Sequence, residues 1–135
     1  MSQENVDLLR RGFEYVSRTG ELPAAGFQPD LVWDTTTFMS GAGMNVGTCI
    51  GLAETNRWLA EWAGAFEDWS LDLEEIFDGG DQVVTFVRQR ARAKQGGPEL
   101  EMRFAQVWTF RDGLVARMEM YRDGSEALEA VRLRE

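Results

Sequence analysis

Histidine is missing from all 135 residues of this chain, and cysteine occurs once, at Cys49. Without imidazole there is no ready general base near neutral pH, no Ser–His or Cys–His nucleophile pair, and almost no route to a zinc or redox-metal site. A single thiol excludes an intrachain disulfide. With no histidine to activate it, Cys49 is expected to be an ordinary thiol. Basic residues are also scarce: 14 Lys and Arg face 23 Asp and Glu, for a formal net charge of −9. Phosphate backbones are held by clustered cations, so nucleic acid is not an expected partner. The chain has no apolar run near the roughly 20 residues that a membrane helix needs, and no Gly-rich phosphate loop. Its start, MSQENVDLLRR, lacks the charged-then-apolar layout of a secretory signal, and a cytoplasmic location is expected. Catalysis, where it occurs, is left to Asp, Glu, Tyr, Arg, Lys or a polarised water. A magnesium site made of carboxylates alone stays open, but no calcium-loop spacing is present. Asp78-Gly-Gly-Asp81 reads as a hairpin turn, and neither a metal nor a cofactor is expected.

What the chain does contain is enough apolar surface for one core. Apolar residues make up 44% and aromatics 11%, which suits a single globular domain over residues 1–135. Val6, Leu9, Phe13 and Val16 recur at helical spacing, so Ser2 to about Arg18 is predicted as a helix with Ser2 as N-cap. Pro23 to Pro29 reads as a loop, and Leu31 to Phe38 as a β-branched and aromatic strand. Ser40 to Gly51 carries four glycines and reads as a mobile loop, a candidate lid over an apolar site. Leu52 to Phe66 is a second amphipathic helix bearing Trp58 and Trp62.

From Trp69 the apolar period changes from 3.6 to 2. Strands are predicted at Ser70–Phe77, Gln82–Lys94, Glu99–Phe110 and Leu114–Arg122, joined by short Gly-containing turns that favour antiparallel pairing. A short helix follows from about Ser125. Arg88, Arg90, Arg92 and Lys94 alternate along one strand face, which is expected to meet solvent or a subunit. Helices first and a meander afterwards predict an α+β domain, its curved sheet wrapping helices and leaving a cone with an open mouth.

Several stretches carry a family resemblance: ENVDLLRRGFEYV, PDLVWDT, RWLAEWAGAFEDW, DGGDQVVTFVRQRARAK and FAQVWTFRDGLVARMEMYRDGSEALEA. Together they resemble the SnoaL-like family of the nuclear transport factor 2-like superfamily over nearly the whole chain. The resemblance implies a conical α+β barrel with an apolar cavity, and a homodimer, frequent in the superfamily, through the outer sheet face. Fold does not dictate chemistry in this superfamily. Ketosteroid isomerases place a base carboxylate and a protonated donor in the cone, and by alignment those positions fall on Thr35, next to Asp34, and on Gln106. Limonene epoxide hydrolases use an Arg-x-Asp pair and a further Asp; the corresponding residues are Val87, Gln89 and Glu119. SnoaL-type cyclases often pair an Asp with a His that this chain lacks. Each known catalytic set is therefore incomplete here.

The last strand decides the candidate site. Apolar content alone puts Leu114, Ala116, Met118 and Met120 inside, whereas the resemblance turns Arg117, Glu119 and Tyr121 inward. With the polar row preferred, the same phase brings in Phe104, Gln106, Trp108 and Phe110, and Thr85, Val87, Gln89 and Ala91. Glu119 is then the candidate acid or base. Arg117 lies on the same face about 7 Å away along the strand, Tyr121 is a candidate oxyanion donor, and Asp34 is a second carboxylate to test. Gln89, Gln106, Trp108, Phe104, Trp62 and Trp33 are candidate ligand contacts. The expected function is acid/base chemistry on a hydrophobic oxygenated small molecule such as a polyketide, terpenoid or steroid: cyclisation, isomerisation, dehydration or epoxide opening. A non-catalytic binder, or a dimeric interaction module with a filled cavity, is the alternative.

Overall fold

A computed structural model gives the fold and describes residues 2–36 and 48–133. Among these, three helices and a six-stranded sheet follow in the order α1 (Ser2–Thr19), β1 (Phe27–Asp34), β2 (Thr48–Ile50), α2 (Leu52–Gly64), β3 (Phe66–Asp78), β4 (Gln82–Ala93), β5 (Glu99–Arg111), β6 (Leu114–Tyr121) and α3 (Gly124–Leu133). The strand order is β2-β1-β6-β5-β4-β3. Only β1 and β6 run parallel, closing the meander back onto the first strand. This is the nuclear transport factor 2-like fold that the sequence resemblance implies.

The apolar stripe of α1 explains its place. Leu9, Phe13 and Val16 are buried in the main core beside Trp33, Val83, Phe104, Trp108 and Met118. Helices α1 and α2 therefore fill the concave side of the sheet. Helix α3 lies on the opposite, convex side, where Ala127 and Val131 pack with Val84, Phe86, Ala105, Val107 and Tyr121. Asp123 caps α3 by accepting the Glu126 backbone N–H at 2.9 Å. The Ser125 hydroxyl and that N–H hold the Asp123 carboxyl below its ordinary pKa.

Several boundaries differ from the sequence expectation. Strand β1 starts at Phe27, inside the expected proline loop, and Pro29 falls in an irregular stretch between the paired residues Phe27 and Val32, where no ladder N–H is needed. Strand β3 begins at Phe66, not Ser70. Of the expected Ser40–Gly51 lid, residues 40–47 lie outside the described residues. Thr48–Ile50 is a strand paired with Val32–Asp34, too short to announce itself by alternation.

One irregularity sets the geometry of the site. The β5–β6 hairpin turns through Asp112 and Gly113, with φ of 55° and 75°, the two positive values of a type I′ turn. Arg111 then pairs with Leu114 and Phe110 with Val115, but the next pair is Thr109 with Arg117. Ala116 is thus an extra residue, a β-bulge. Because side chains alternate, a one-residue slip reverses the facing of everything beyond it.

Candidate functional site

A cavity lies between the concave sheet face and the two inner helices, and all five tryptophans of the chain line it. Trp33 and Trp108 are buried and form its floor, with ring centroids 5.8 Å apart in an edge-to-face contact. Phe13 and Phe27 meet Trp108 edge-on at 5.9 and 6.4 Å. Such contacts add about 0.5–1.5 kcal/mol each beyond burial alone. Trp58, Trp62 and Trp69 are half-buried. Trp58 and Trp62 stack nearly parallel at 5.7 Å, one turn apart on α2, as i and i+4 residues must. The free interior is about 40 Å³, room for a few water molecules. The open cone expected from the sequence is largely occupied by aromatic rings.

The polar atoms in this wall are few and nearly all spoken for. Gln89 Oε1 accepts hydrogen bonds from the Trp62 and Trp69 indoles at 2.8 and 2.9 Å. Indole nitrogens only donate, so these two contacts fix which end of the amide is oxygen and turn the Nε2 donors elsewhere. On the floor, the Trp108 indole donates to Thr85 Oγ1 at 2.8 Å, and that hydroxyl donates to Gln106 Oε1 at 3.4 Å. Trp33 Nε1 is different: it is buried and has no hydrogen-bond partner among the described residues.

None of the described side chains lining the cavity is ionisable. Residues 37–47, outside the described set, contain no ionisable side chain in their sequence either. The expected inward row of Arg117, Glu119 and Tyr121 is therefore corrected. Beyond the Ala116 bulge, Met118 and Met120 point inward, Met118 fully buried and Met120 lining the cavity. Arg117, Glu119 and Tyr121 share the convex face with Asp34, which lies beside Glu119 across the parallel β1–β6 pairing.

The structure does bring the four expected proton-handling residues together, on the far side of the sheet. Arg117 donates to Asp34 Oδ2 at 2.8 Å and lies 3.7 Å from Glu119 Oε1. The Tyr121 hydroxyl donates to Glu119 Oε2 at 3.4 Å. Asp34 Oδ1 also accepts the Thr36 hydroxyl and backbone N–H at 2.6 and 3.0 Å. Burial pushes the Asp34 carboxyl up, but these Thr36 hydrogen bonds and the Arg117 guanidinium outweigh it and hold its pKa below 3.8. One guanidinium thus serves two carboxylates in a hydrogen-bonded network, the arrangement expected of a structural ion-pair cluster.

The remaining ligand candidates Trp33, Trp62, Gln89, Phe104, Gln106 and Trp108 all line the cavity; the last four do so because β4 and β5 pair without interruption from Gln82–Thr109 to Arg92–Glu99. Trp69, Gly12 and Met102, which carry no inward signal in the sequence, also line it, as does Met120, which the apolar count alone places inside. Trp69 sits within a bulge of β3, between the pairs Glu67–Arg92 and Ser70–Arg90, so alternation gave no clue to its facing. Cys49 is buried, and that burial, with Glu54 nearby, raises its thiol pKa above 9.0; it stays protonated at neutral pH. Among the described residues no group of three or more carboxylate or thiol side chains converges on a metal-sized site.

A family comparison fits this geometry. Residues 14–118 match the SnoaL-like domain. The chain belongs to the SnoaL-like domain family. No curated protein matches it significantly. Among solved structures, this SnoaL-like chain is similar to TerC co-crystallised with polyporic acid, at 26% identity and a TM-score of 0.73 over 96% of this chain and 98% of that one. An NTF2-like protein of unknown function from Burkholderia pseudomallei K96243 is 24% identical with a TM-score of 0.73, covering 93% and 95%. A putative SnoaL-like polyketide cyclase from Jannaschia sp. CCS1 is 18% identical with a TM-score of 0.71, covering 97% and 90%. The latter two likenesses show the fold alone. Among the described residues no helix is long and apolar enough to cross a membrane.

Proposed function

We propose that this SnoaL-like protein binds a flat, neutral, hydrophobic small molecule between its stacked and edge-on tryptophans. The observation that carries the reading is the conjunction of five tryptophans and no ionisable group in the described wall of one cavity. Flat aromatic walls favour flat ligands, and an uncharged wall in a chain of net charge −9 disfavours anions. That TerC was co-crystallised with polyporic acid supports a small organic ligand. The cavity holds little free space, so a ligand enters by displacing the half-buried Trp58–Trp62 pair at the mouth.

Carboxylate acid/base catalysis is not favoured, since Glu119 and Asp34 lie across the sheet from the cavity. Chemistry on a bound molecule would draw on positioning and on N–H donation to an oxygen that gains charge. Association into a homodimer would use the convex face left open beside α3.

Intrinsic fluorescence tests the reading directly, because every tryptophan faces the ligand. Titration with indane and 1-indanone is expected to give saturable quenching with dissociation constants on the order of 100 µM. Glu119→Gln and Asp34→Asn are expected to bind within about twofold of wild type. Absence of saturation by either compound, or loss of binding in Glu119→Gln, overturns the proposal.

A further inference from the structure

We infer that Trp62 is the moving leaf of a gate over the cavity, that Gln89 is its latch, and that Trp69 is the partner that lets the latch release. The gate rests on the small-molecule reading above for its purpose, and it names how that cavity opens. A free interior of about 40 Å³ holds only a few waters, so a wall side chain must move before a ring-sized molecule can enter. The five lining tryptophans are not held alike. Trp33 and Trp108 are each 3% exposed and meet edge-on in the core. Trp69 is half-buried but packs against the main core, and the pairs Glu67–Arg92 and Ser70–Arg90 hold β3 on either side of it. Trp62, on α2, stacks on half-buried Trp58 at 5.7 Å and meets half-buried Phe66 edge-on at 5.8 Å.

The hydrogen bonds turn this difference in support into a mechanism. Gln89 is 4% exposed, and its Oε1 accepts Trp62 Nε1 at 2.8 Å and Trp69 Nε1 at 2.9 Å. An amide oxygen has two lone pairs, and an indole nitrogen only donates. When Trp62 turns out to solvent, its N–H exchanges Gln89 for water. The buried oxygen keeps its bond from Trp69, so opening strands neither a donor nor an acceptor. A buried polar group left without any partner is what makes such bonds costly to break. Without Trp69, the same movement would strip Gln89 Oε1 of its last indole. The two bonds therefore have different roles: one shuts the cavity, and the other lets that bond break.

The two indoles share one acceptor at nearly one distance, so a purely structural clamp would make them behave alike. In ligand-free wild type labelled with ¹⁵N-tryptophan, the assigned Trp62 indole N–H is expected to exchange with water about tenfold faster than that of Trp69. Stopped-flow fluorescence with 1-indanone gives a second measurement. Trp62→Phe, which keeps a ring and removes the latch, is expected to raise the association and dissociation rates together by about fivefold, the worth of one hydrogen bond. Trp69→Phe, which removes the holding partner instead, is expected to leave both rates at or below those of wild type. Circular dichroism checks that both variants fold; where one does not, exchange in the wild type decides alone. A Trp69 indole that exchanges as fast as that of Trp62, or equal acceleration by the two substitutions, overturns the gate and leaves the small-molecule reading standing. The expected exchange order without saturable binding of 1-indanone supports the gate and overturns the small-molecule reading.

Discussion

Thr109 stands directly opposite Arg117 in the β5–β6 ladder, with Ala116 left unpaired between that pair and the Phe110–Val115 pair. This offset puts Met118 in the core and Glu119 on the convex face. Met118→Ala is expected to cost about 2–4 kcal/mol in urea unfolding, through lost burial and the cavity left behind. Glu119→Gln, which keeps the side chain's shape, is expected to cost less than about 1 kcal/mol. The opposite order would place Glu119 in the interior.

The Asp34–Arg117 pair predicts an acid limb in the stability profile. The folded chain holds the Asp34 carboxyl below its ordinary value of 3.8, so the folded state binds that proton less readily than the unfolded one. Its contribution is complete above the unfolded value and is lost as pH falls through the lower folded value. Wild type is expected to exceed Asp34→Asn by about 1 kcal/mol at pH 7. The gap should close as pH falls below 3.8. A gap independent of pH would mean that the carboxylate charge contributes nothing.

Gly12 lies inside α1 and lines the cavity, and a Cβ there would meet the Phe27 ring at an ordinary 3.6 Å. Gly12→Ala is expected to stabilise the helix by about 1 kcal/mol, raising the melting temperature by about 3–5 °C. The added methyl also takes space from a cavity of about 40 Å³, so affinity for 1-indanone should fall. A rise in both stability and affinity would place the ligand elsewhere.

Gln89 clamps two strands and a helix through Trp62 and Trp69. Gln89→Leu strands both indole donors and is expected to cost about 2–3 kcal/mol. Gln89→Glu keeps an acceptor for both but buries a carboxylate in a wall without a cation, so its loss is expected to shrink as pH falls and the carboxyl is protonated. Thermal unfolding of both variants against pH checks this; a Gln89→Leu variant as stable as wild type would show that the indole bonds do not matter.

Much of this fold is legible in the amino-acid order because its signals are local. The 3.6-residue spacing of Leu9, Phe13 and Val16 is a property of α1 alone. Asp112-Gly113 is a turn on its own chemistry. Unbroken alternation from Val83 to Ala91 and from Phe104 to Phe110 predicts correctly that Gln89, Gln106 and Trp108 share the inner face. The apolar count of Ala116, Met118 and Met120 also pointed to buried methionines, and only the resemblance argued otherwise.

The order of residues by itself determined the helices, the meander, the aromatic richness of the interior and the absence of histidine chemistry. Tertiary structure alone decided which side of the sheet holds the carboxylates, that Gln89 serves two indoles, and that Trp33 Nε1 is buried without a hydrogen-bond partner among the described residues. The reason is that a bulge is a relation between strands. Ala116 is skipped in the ladders that β6 makes with both β5 and the parallel β1, and no periodicity within β6 records that relation.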